Sequence, residues 1–448
     1  MRCLGLDLGS TTIKGAVLDL ETATLSHFQS VPFPAPIEGL APGWHEVHLS
    51  EILSATRLVL EKLNQTAPDA TNLFICSQMG GLVVSDDLGT PLTHYLSWRD
   101  QRTLAEHPNG GSFLEQTRIR LGEEWLTRMG GELKPGSATS LLFWLAQKDK
   151  LPPQGTASSL GEWVVANLTN NSLFMHPSMA IGLLDLTIGD WAYGAFEKLG
   201  LSSLKWPQIP KDLVPVGTVN VGSTKLLVHP ALGDQQCALF GVGLLPGELS
   251  INASTGSQVS RLNAHFYPGP FQSRFYFDDW KLDTITHIPA GRSLKAIVDL
   301  LTEIPNAQGK SVDPWGYIAS VLENESVNDL DCAISFFPGP LGETGHLKGI
   351  TLENLTVGKW MFAALTSMAS GYRLCAERLG PLSSWSGIVV SGGLAQSLPR
   401  LGRLIQQNFP GLPIRHNTGI EETLMGLLRL AQKNLGTPPA STISGNFP

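Results

Sequence analysis

What the 448-residue chain lacks narrows the possibilities first. It has only five cysteines (Cys3, Cys76, Cys237, Cys332 and Cys375), scattered, odd in number and never in a C-x-x-C pair. That spacing argues against a disulfide framework or a zinc site and points to free thiols in a reducing compartment. No apolar run reaches membrane-spanning length, and the N-terminus enters a strand-like pattern with no charged region ahead of an apolar one. The expectation is a cytoplasmic protein without membrane association. Positive charge is not in excess: 31 Lys and Arg stand against 39 Asp and Glu, a net charge of −8. This argues against a nucleic-acid partner, yet leaves room for a nucleotide held by backbone amides and one metal ion. Two phosphate and ester motifs are also missing, the G-x-x-x-x-G-K-[ST] loop and the G-x-S-x-G elbow.

What is present suits a compact fold. Hydrophobic residues make up 42% and charged ones 16%, outside the range of disordered chains. The length exceeds one ordinary hydrophobic core, so two domains are expected. The most telling stretch is Leu232-Gly233-Asp234-Gln235-Gln236-Cys237, which follows the apolar run Leu226 to His229. It places an Asp at a strand end and helix start, where the first helical turn favours its ionised form. Such a group can accept a proton from a substrate hydroxyl; an ordinary helix-capping Asp fits the same pattern equally well.

At the N-terminus, Cys3 to Leu6 and Ile13 to Leu18 are apolar and flank the polar turn Asp7-Leu8-Gly9-Ser10-Thr11-Thr12. Small residues and hydroxyls there can cradle a phosphate, with Asp7 placed to hold a cation; a plain β-hairpin is the competing reading. Ser50 to Gln65 reads as an amphipathic helix capped by Ser50, and Leu73 to Cys76 as a buried strand ending in Ser77-Gln78-Met79-Gly80-Gly81. Trp98-Arg99-Asp100-Gln101-Arg102 lines either a polar pocket or a surface charge cluster. Prolines 207, 210 and 215 mark the best domain boundary. The second half then repeats the first. Leu249 to Ala253, a Ser254-Thr255-Gly256-Ser257 turn and Gln258 to Leu262 echo the N-terminal hairpin, and Ile388 to Val390 before Ser391-Gly392-Gly393 echoes Phe74 to Gly81. Helices are expected over 141–148, 161–168, 293–303, 359–379, 396–409 and 421–434.

Taken in order, these motifs resemble the FGGY-type carbohydrate kinases of the sugar kinase/Hsp70/actin superfamily. Asp7 to Thr12 resembles their first phosphate motif, D-x-G-T-T/S; Gln78-Met79-Gly80-Gly81 their sugar-side Q-M-H-G; and Trp98 to Arg102 their W-N/Q-D-x-R. Gly233-Asp234-Gln235 matches the G-D-Q/N catalytic motif, Ser254 to Ser257 resembles the second phosphate loop, and Gly392-Gly393 with Gln396 resembles the adenosine-site motif. Glu421-Glu422-Thr423 resembles the family's last acidic helix start.

The resemblance implies an α/β protein of two ribonuclease H-like (actin/hexokinase/Hsp70-type) domains flanking a cleft. Residues 1–222 would form the N-terminal domain and 223–435 the C-terminal domain with the catalytic Asp and nucleotide site, while 436–448 would be a flexible tail. It implies ATP-dependent phosphorylation of a sugar hydroxyl with Mg2+, the acceptor being a ketose such as sedoheptulose, xylulose or ribulose, or a polyol. Asp234 would be the base, and Asp7 with Asp234 would hold the metal. Ser10, Thr11, Thr12, Thr255 and Gly256 would contact phosphates. Gly291, Lys295, Gly392, Gly393 and Gln396 would border the adenosine, and Met79, Gly80, Trp98, Asp100 and Gln235 the sugar. The implied partners are the sugar and ATP, with a homodimer as the expected assembly if there is one.

The chain departs from the family at Gly80 (usually His), Arg99 (usually Asn or Gln), the segment His176 to Ala180 and the stretch Phe337 to Gly345. These departures motivate a second reading, a nucleotide-binding relative without sugar kinase activity that acts as a sensor or partner-binding protein.

Overall fold

Cys3 to Leu8 are buried without interruption, the mark of a strand covered on both faces. In the computed structural model, which describes residues 1–436 except 211, 327, 328, 418 and 420, this strand, β1 (Arg2–Leu8), sits at the centre of a sheet. It pairs antiparallel with β2 (Thr12–Asp19) and parallel with β4 (Asn72–Ser77), the latter from Leu4↔Leu73 to Leu8↔Ser77. β3 (Thr24–Pro32) extends one side. The hairpin of β5 (Gly217–Val221) and β6 (Thr224–Val228) extends the other, so the order is β5-β6-β4-β1-β2-β3. β6 reaches only the start of β4; the short strand β7 (Leu232–Gly233) pairs parallel with its end, Leu232 opposite Cys76 and Gly233 opposite Ser77.

The chain divides by contact into two compact units. The first comprises Met1–Gly243, Ser273–Lys281 and the chain from Glu421; the second comprises Leu244–Gln272 and Leu282–Ile420. This differs from a division at 222/223, and the reason is visible in the sheet. The β5–β6 hairpin and β7 both add strands to β4, so the chain beyond the proline-rich stretch still belongs to the first core.

Helices of the first unit follow their apolar spacing. α1 (Leu49–Thr66) buries Leu49, Ile52, Thr56, Val59, Leu60 and Leu63, a one-sided stripe. Its N-cap is His48, not Ser50, because Leu49 already belongs to the buried stripe and draws the helix start ahead of the serine. α2 (Ala138–Gln147) and α3 (Leu160–Thr169) are buried over most of their surface, and α3 opens with a Ser159/Glu162 capping box. α4 (Asp234–Gly241) follows β7 directly.

The second unit repeats the pattern of β1, β2 and β4. β8 (Glu248–Asn252) pairs antiparallel with β9 (Ser257–Asn263) and parallel with β11 (Gly387–Ser391). With β10 (Lys281–Ile288) beside β9 and β12 (Ile414–His416) beside β11, the order is β10-β9-β8-β11-β12. Its core packs α5 (Gly291–Ala307), α6 (Val357–Leu379) and α8 (Pro399–Asn408) around the sheet. The single helix expected over 396–409 is two: α7 (Gly393–Ser397) ends at Leu398, and Pro399 opens α8 at a position where its missing N–H costs nothing.

The last helix, α9 (Glu422–Asn434), returns to the first unit and crosses α4 at two glycines. A Cβ on Gly426 would stand 1.9 Å from the carbonyl oxygen of Cys237, and one on Gly241 would stand 2.0 Å from that of Glu422. Only glycines allow this approach. The tail beyond Gly436 lies outside the described residues. No helix among them is long and apolar enough to cross a membrane, and all five cysteines are free and buried.

Candidate active site

β1, β4 and β7 run parallel and end on the same side of the first sheet. Asp7 and Leu232 are both register partners of Cys76, one from each side of β4. With adjacent strands about 4.8 Å apart, Asp7 and the start of α4 are roughly 10 Å apart across the sheet. Carboxyl ends of parallel strands are where open α/β sheets bind ligands. Asp7 and Asp234 therefore come together within one unit; the expectation of one carboxylate from each half is corrected. The cause is again β7, whose pairing with β4 carries Asp234 into the first sheet.

Asp7 is almost wholly buried. Its Oδ2 accepts a hydrogen bond from Thr423 Oγ1 at 2.7 Å and lies 3.6 Å from Lys14 Nζ. Lys14 is its direct cross-strand partner on β2, and it also meets Glu421 Oε2 at 2.5 Å. Burial raises the Asp7 pKa above the usual carboxylate range, opposed by Lys14 and by the Thr423 hydroxyl. Its Oδ1 is buried with no hydrogen-bond partner. The turn Gly9 to Thr12 joins Asp7, Lys14 and Glu421 in lining a recess of about 530 Å³.

Asp234 is the first residue of α4, and its Oδ1 accepts the N–H of Gln235 at 2.8 Å. Burial, and then the charge of Asp7, push its pKa up to about 7; the Gln235 N–H and Arg274 act in the opposite direction. Ser178 holds the strand end before it, accepting the N–H of Gly233 at 3.0 Å, while Gln236 Nε2 donates to the Ser178 carbonyl at 3.1 Å. Ser178 Oγ lies 2.8 Å from His176 Nδ1, which also accepts the Ser178 N–H at 3.2 Å. That ring nitrogen is thus an acceptor, and burial lowers the His176 pKa to about 4, keeping the ring neutral. The segment that departs from the family pattern is a support for the Asp234 turn.

Sequence reasoning missed Arg274 and Glu132. Arg274 donates to Gln235 Oε1 and forms a two-pronged pair with Glu132, Nε to Oε1 and, at 3.2 Å, Nη2 to Oε2, all three residues being buried. Since a guanidinium only donates, it fixes which end of the Gln235 amide faces it. The available signal was a lone arginine inside the aromatic run Phe271 to Phe277.

Around the expected sugar-side residues, Trp98 Nε1 donates to Gln78 Oε1 at 3.1 Å, and the Gln78 N–H donates to the Leu8 carbonyl at 3.0 Å. A Cβ on Gly80 would lie 3.2 Å from the Trp98 Cβ, and one on Gly233 would lie 2.6 Å from the Met79 sulfur. Asp100 is fully buried and spent on structure. Its oxygens accept from the His45 N–H, the Arg102 N–H, and Arg102 Nε and Nη2 at 2.6–2.9 Å.

In the second unit, the Ser254-Thr255-Gly256 turn meets the start of α5. Gly291 N–H donates to the Ser254 carbonyl at 3.2 Å and Arg292 N–H to that of Thr255 at 2.9 Å. Gly392 adopts φ +93°, and a Cβ there would strike the carbonyl oxygen of Ala253, the residue before that turn, at 2.4 Å, whereas a Cβ on Gly393 would meet open space. Gln396 is on α7 with its amide toward the Asn417 carbonyl at 3.4 Å. Lys295, one turn along α5, is exposed and paired with Asp299.

Comparison with known proteins turns this geometry into a family assignment. Residues 2–241 match the model of the FGGY family of carbohydrate kinases, N-terminal domain. The chain belongs to the FGGY family. It is 24% identical over 303 residues to autoinducer-2 kinase of Escherichia coli O9:H4 (strain HS), covering 60% of this chain and 55% of that protein. It is 26% identical over 285 residues to glycerol kinase of Azorhizobium caulinodans, covering 56% of this chain and 52% of the relative. The chain thus spans about half the length of the curated relatives it matches. The crystal structure of gluconate kinase from Lactobacillus acidophilus superposes with a TM-score of 0.83 at 16% identity, over 98% of this chain and 90% of that one. The fold is accordingly α/β with two actin/hexokinase-like domains, as FGGY kinases have.

Kinases of the FGGY family use ATP, and the residues present suit a magnesium nucleotide. Asp7 and Asp234 are hard oxygen donors, and the unpartnered Asp7 Oδ1 is an oxygen that a cation would satisfy. Mg2+ characteristically takes one or two carboxylates and completes its shell with phosphate oxygens and water.

Proposed function

We propose that this FGGY protein transfers the terminal phosphoryl group of ATP to a hydroxyl of a small sugar or polyol, a ketose such as sedoheptulose, xylulose or ribulose being the expected acceptor. The observation that carries this reading is the pairing of Asp7 and Asp234 beside β4, with a hydroxyl-bearing turn next to Asp7. Asp234 takes the proton of the attacking hydroxyl, a role suited to a group that titrates near neutrality. Asp7 and Asp234 would hold Mg2+, which, when bound, offsets the charge of the phosphates. Ser10, Thr11 and Thr12 bind phosphate oxygens, and Thr255 and Gly256 carry the same role in their own turn. Gly291, Lys295, Gly392, Gly393 and Gln396 border the adenosine. Met79, Gly80, Trp98 and Gln235 face the acceptor, whereas the engaged carboxylate of Asp100 fits a supporting role. Relatives that act on autoinducer-2 and on glycerol fit a small polyhydroxylated acceptor, and buried free thiols fit a cytoplasmic setting.

The test is sugar-dependent ADP release across pentuloses, heptuloses, polyols and sugar acids. One class should turn over with Mg2+, and Asp234→Asn should lower kcat by at least about 10²-fold with nucleotide binding retained. Full turnover in that variant would remove Asp234 as the base. Silence across the panel despite tight ATP binding would favour a sensor or partner-binding protein.

A further inference from the structure

Two cations border the Gly9 to Thr12 turn. Lys14 sits between the carboxylates of Asp7 and Glu421, so its charge is largely answered. Arg99 is different. Its Nη2 donates to Ser10 Oγ at 2.9 Å, the residue is exposed, and among the described residues it makes no ion pair. The guanidinium lies 5.4 Å from the centre of the Trp98 ring, and its backbone N–H donates to Ser97 Oγ at 3.2 Å.

The backbone that carries it is tied down on both sides. Trp98 bonds Gln78, whose main chain bonds Leu8 and whose side-chain amide reaches the Gly9 carbonyl at 3.5 Å. Asp100, the next residue, is locked to Arg102 and His45. The Trp98–Arg99 segment and the hydroxyl turn are therefore held in one place by separate bonds. A guanidinium fork is shaped for phosphate oxygens. Because Ser10 Oγ accepts from Arg99, its own proton can point onward, so both groups can serve one anion. Phosphoryl transfer puts its charge on the equatorial oxygens of the migrating group, where an arginine from the same chain is an effective counter-charge.

We propose that Arg99 binds the terminal phosphate of the nucleotide, through a guanidinium that Ser10, Trp98 and the Asp100 network hold at the rim of the Asp7 recess. The proposal rests on the kinase reading above. It assigns Arg99 to the nucleotide, whereas its neighbours Trp98 and Asp100 are expected on the sugar side.

Calorimetric titration of the full chain with Mg-AMPPNP, a non-hydrolysable ATP analogue, and with Mg-ADP tests it. Arg99→Gln should weaken Mg-AMPPNP about tenfold to a hundredfold, the worth of a charge-assisted hydrogen bond. Mg-ADP, which lacks the terminal phosphate, should stay within about twofold. Arg99→Lys should recover part of the loss. Because the side chain is exposed, the melting curve should not move. Equal weakening of both nucleotides, or no weakening of either, would overturn the assignment while leaving the kinase reading in place. Wild-type protein that binds neither nucleotide would overturn both.

Discussion

A carboxylate proposed to accept a proton is most useful when it titrates near the working pH, and Asp234 reaches that state at a cost in stability. Burial and the nearby Asp7 raise its pKa from 3.8 to about 7. The folded chain therefore holds this proton more tightly than the unfolded chain does. The associated stability is fully present below about pH 4 and is lost as pH rises through about 7. The loss is bounded at about 4 kcal/mol, taking 1.4 kcal/mol per pKa unit. Asp234→Asn has no ionisation to oppose folding. In metal-free buffer it should melt above wild type, by a clearly wider margin at pH 8 than at pH 5. Added Mg2+ should close the gap at pH 8, since a cation between the carboxylates favours their ionised forms. Equal melting-temperature differences at both pH values, by scanning calorimetry, would show that the Asp234 site is not strained in this way.

At the scale of elements, strand–turn–strand units were the most legible. An apolar run, a Gly/Ser/Thr turn and a second apolar run gave β1–β2 and β8–β9 directly, because a buried strand needs little more than apolar continuity. Helix ends were less legible. At Ser50 tertiary burial of Leu49 outweighed capping preference, and at Leu398 a break divided the expected helix. Least legible was the α4–α9 crossing, since a glycine in a helix does not announce what it lies against. It yields a prediction whose sign is informative. Gly→Ala in an unhindered helix interior stabilises by up to about 1 kcal/mol. At Gly426 the new methyl would meet the Cys237 carbonyl oxygen at 1.9 Å, an overlap with main chain that no rotamer relieves. Gly426→Ala should therefore destabilise by about 1–3 kcal/mol or more. It should also lower turnover, because α9 brings Thr423 to Asp7. A raised melting temperature would contradict the close crossing.

For the whole molecule, the motifs named candidate site residues but said little about which unit carries each. Asp234 was readable as a strand-end Asp, whereas its membership of the first sheet depends on a two-residue strand that no periodicity reveals. Arg274 and Glu132, 142 residues apart, meet only through tertiary structure. The same non-local logic governs how the first unit holds together. Its core takes in Leu424, Leu427, Leu428 and Leu430 of α9, each at most 2% exposed. At about 1.5–3 kcal/mol per buried leucine, these four supply roughly 6–12 kcal/mol. That is comparable to the entire stability of a typical domain, about 5–15 kcal/mol. A fragment of residues 1–243 has the β1-centred sheet and both carboxylates but lacks this cover. It should show no cooperative thermal transition by far-UV circular dichroism and should be cleaved by protease under conditions where the full chain survives. Co-expression with residues 244–448 should restore both properties, because the missing surface returns with α9. If the fragment alone melts cooperatively and resists protease as the full chain does, the C-terminal helix is an accessory to the first unit and not part of its core.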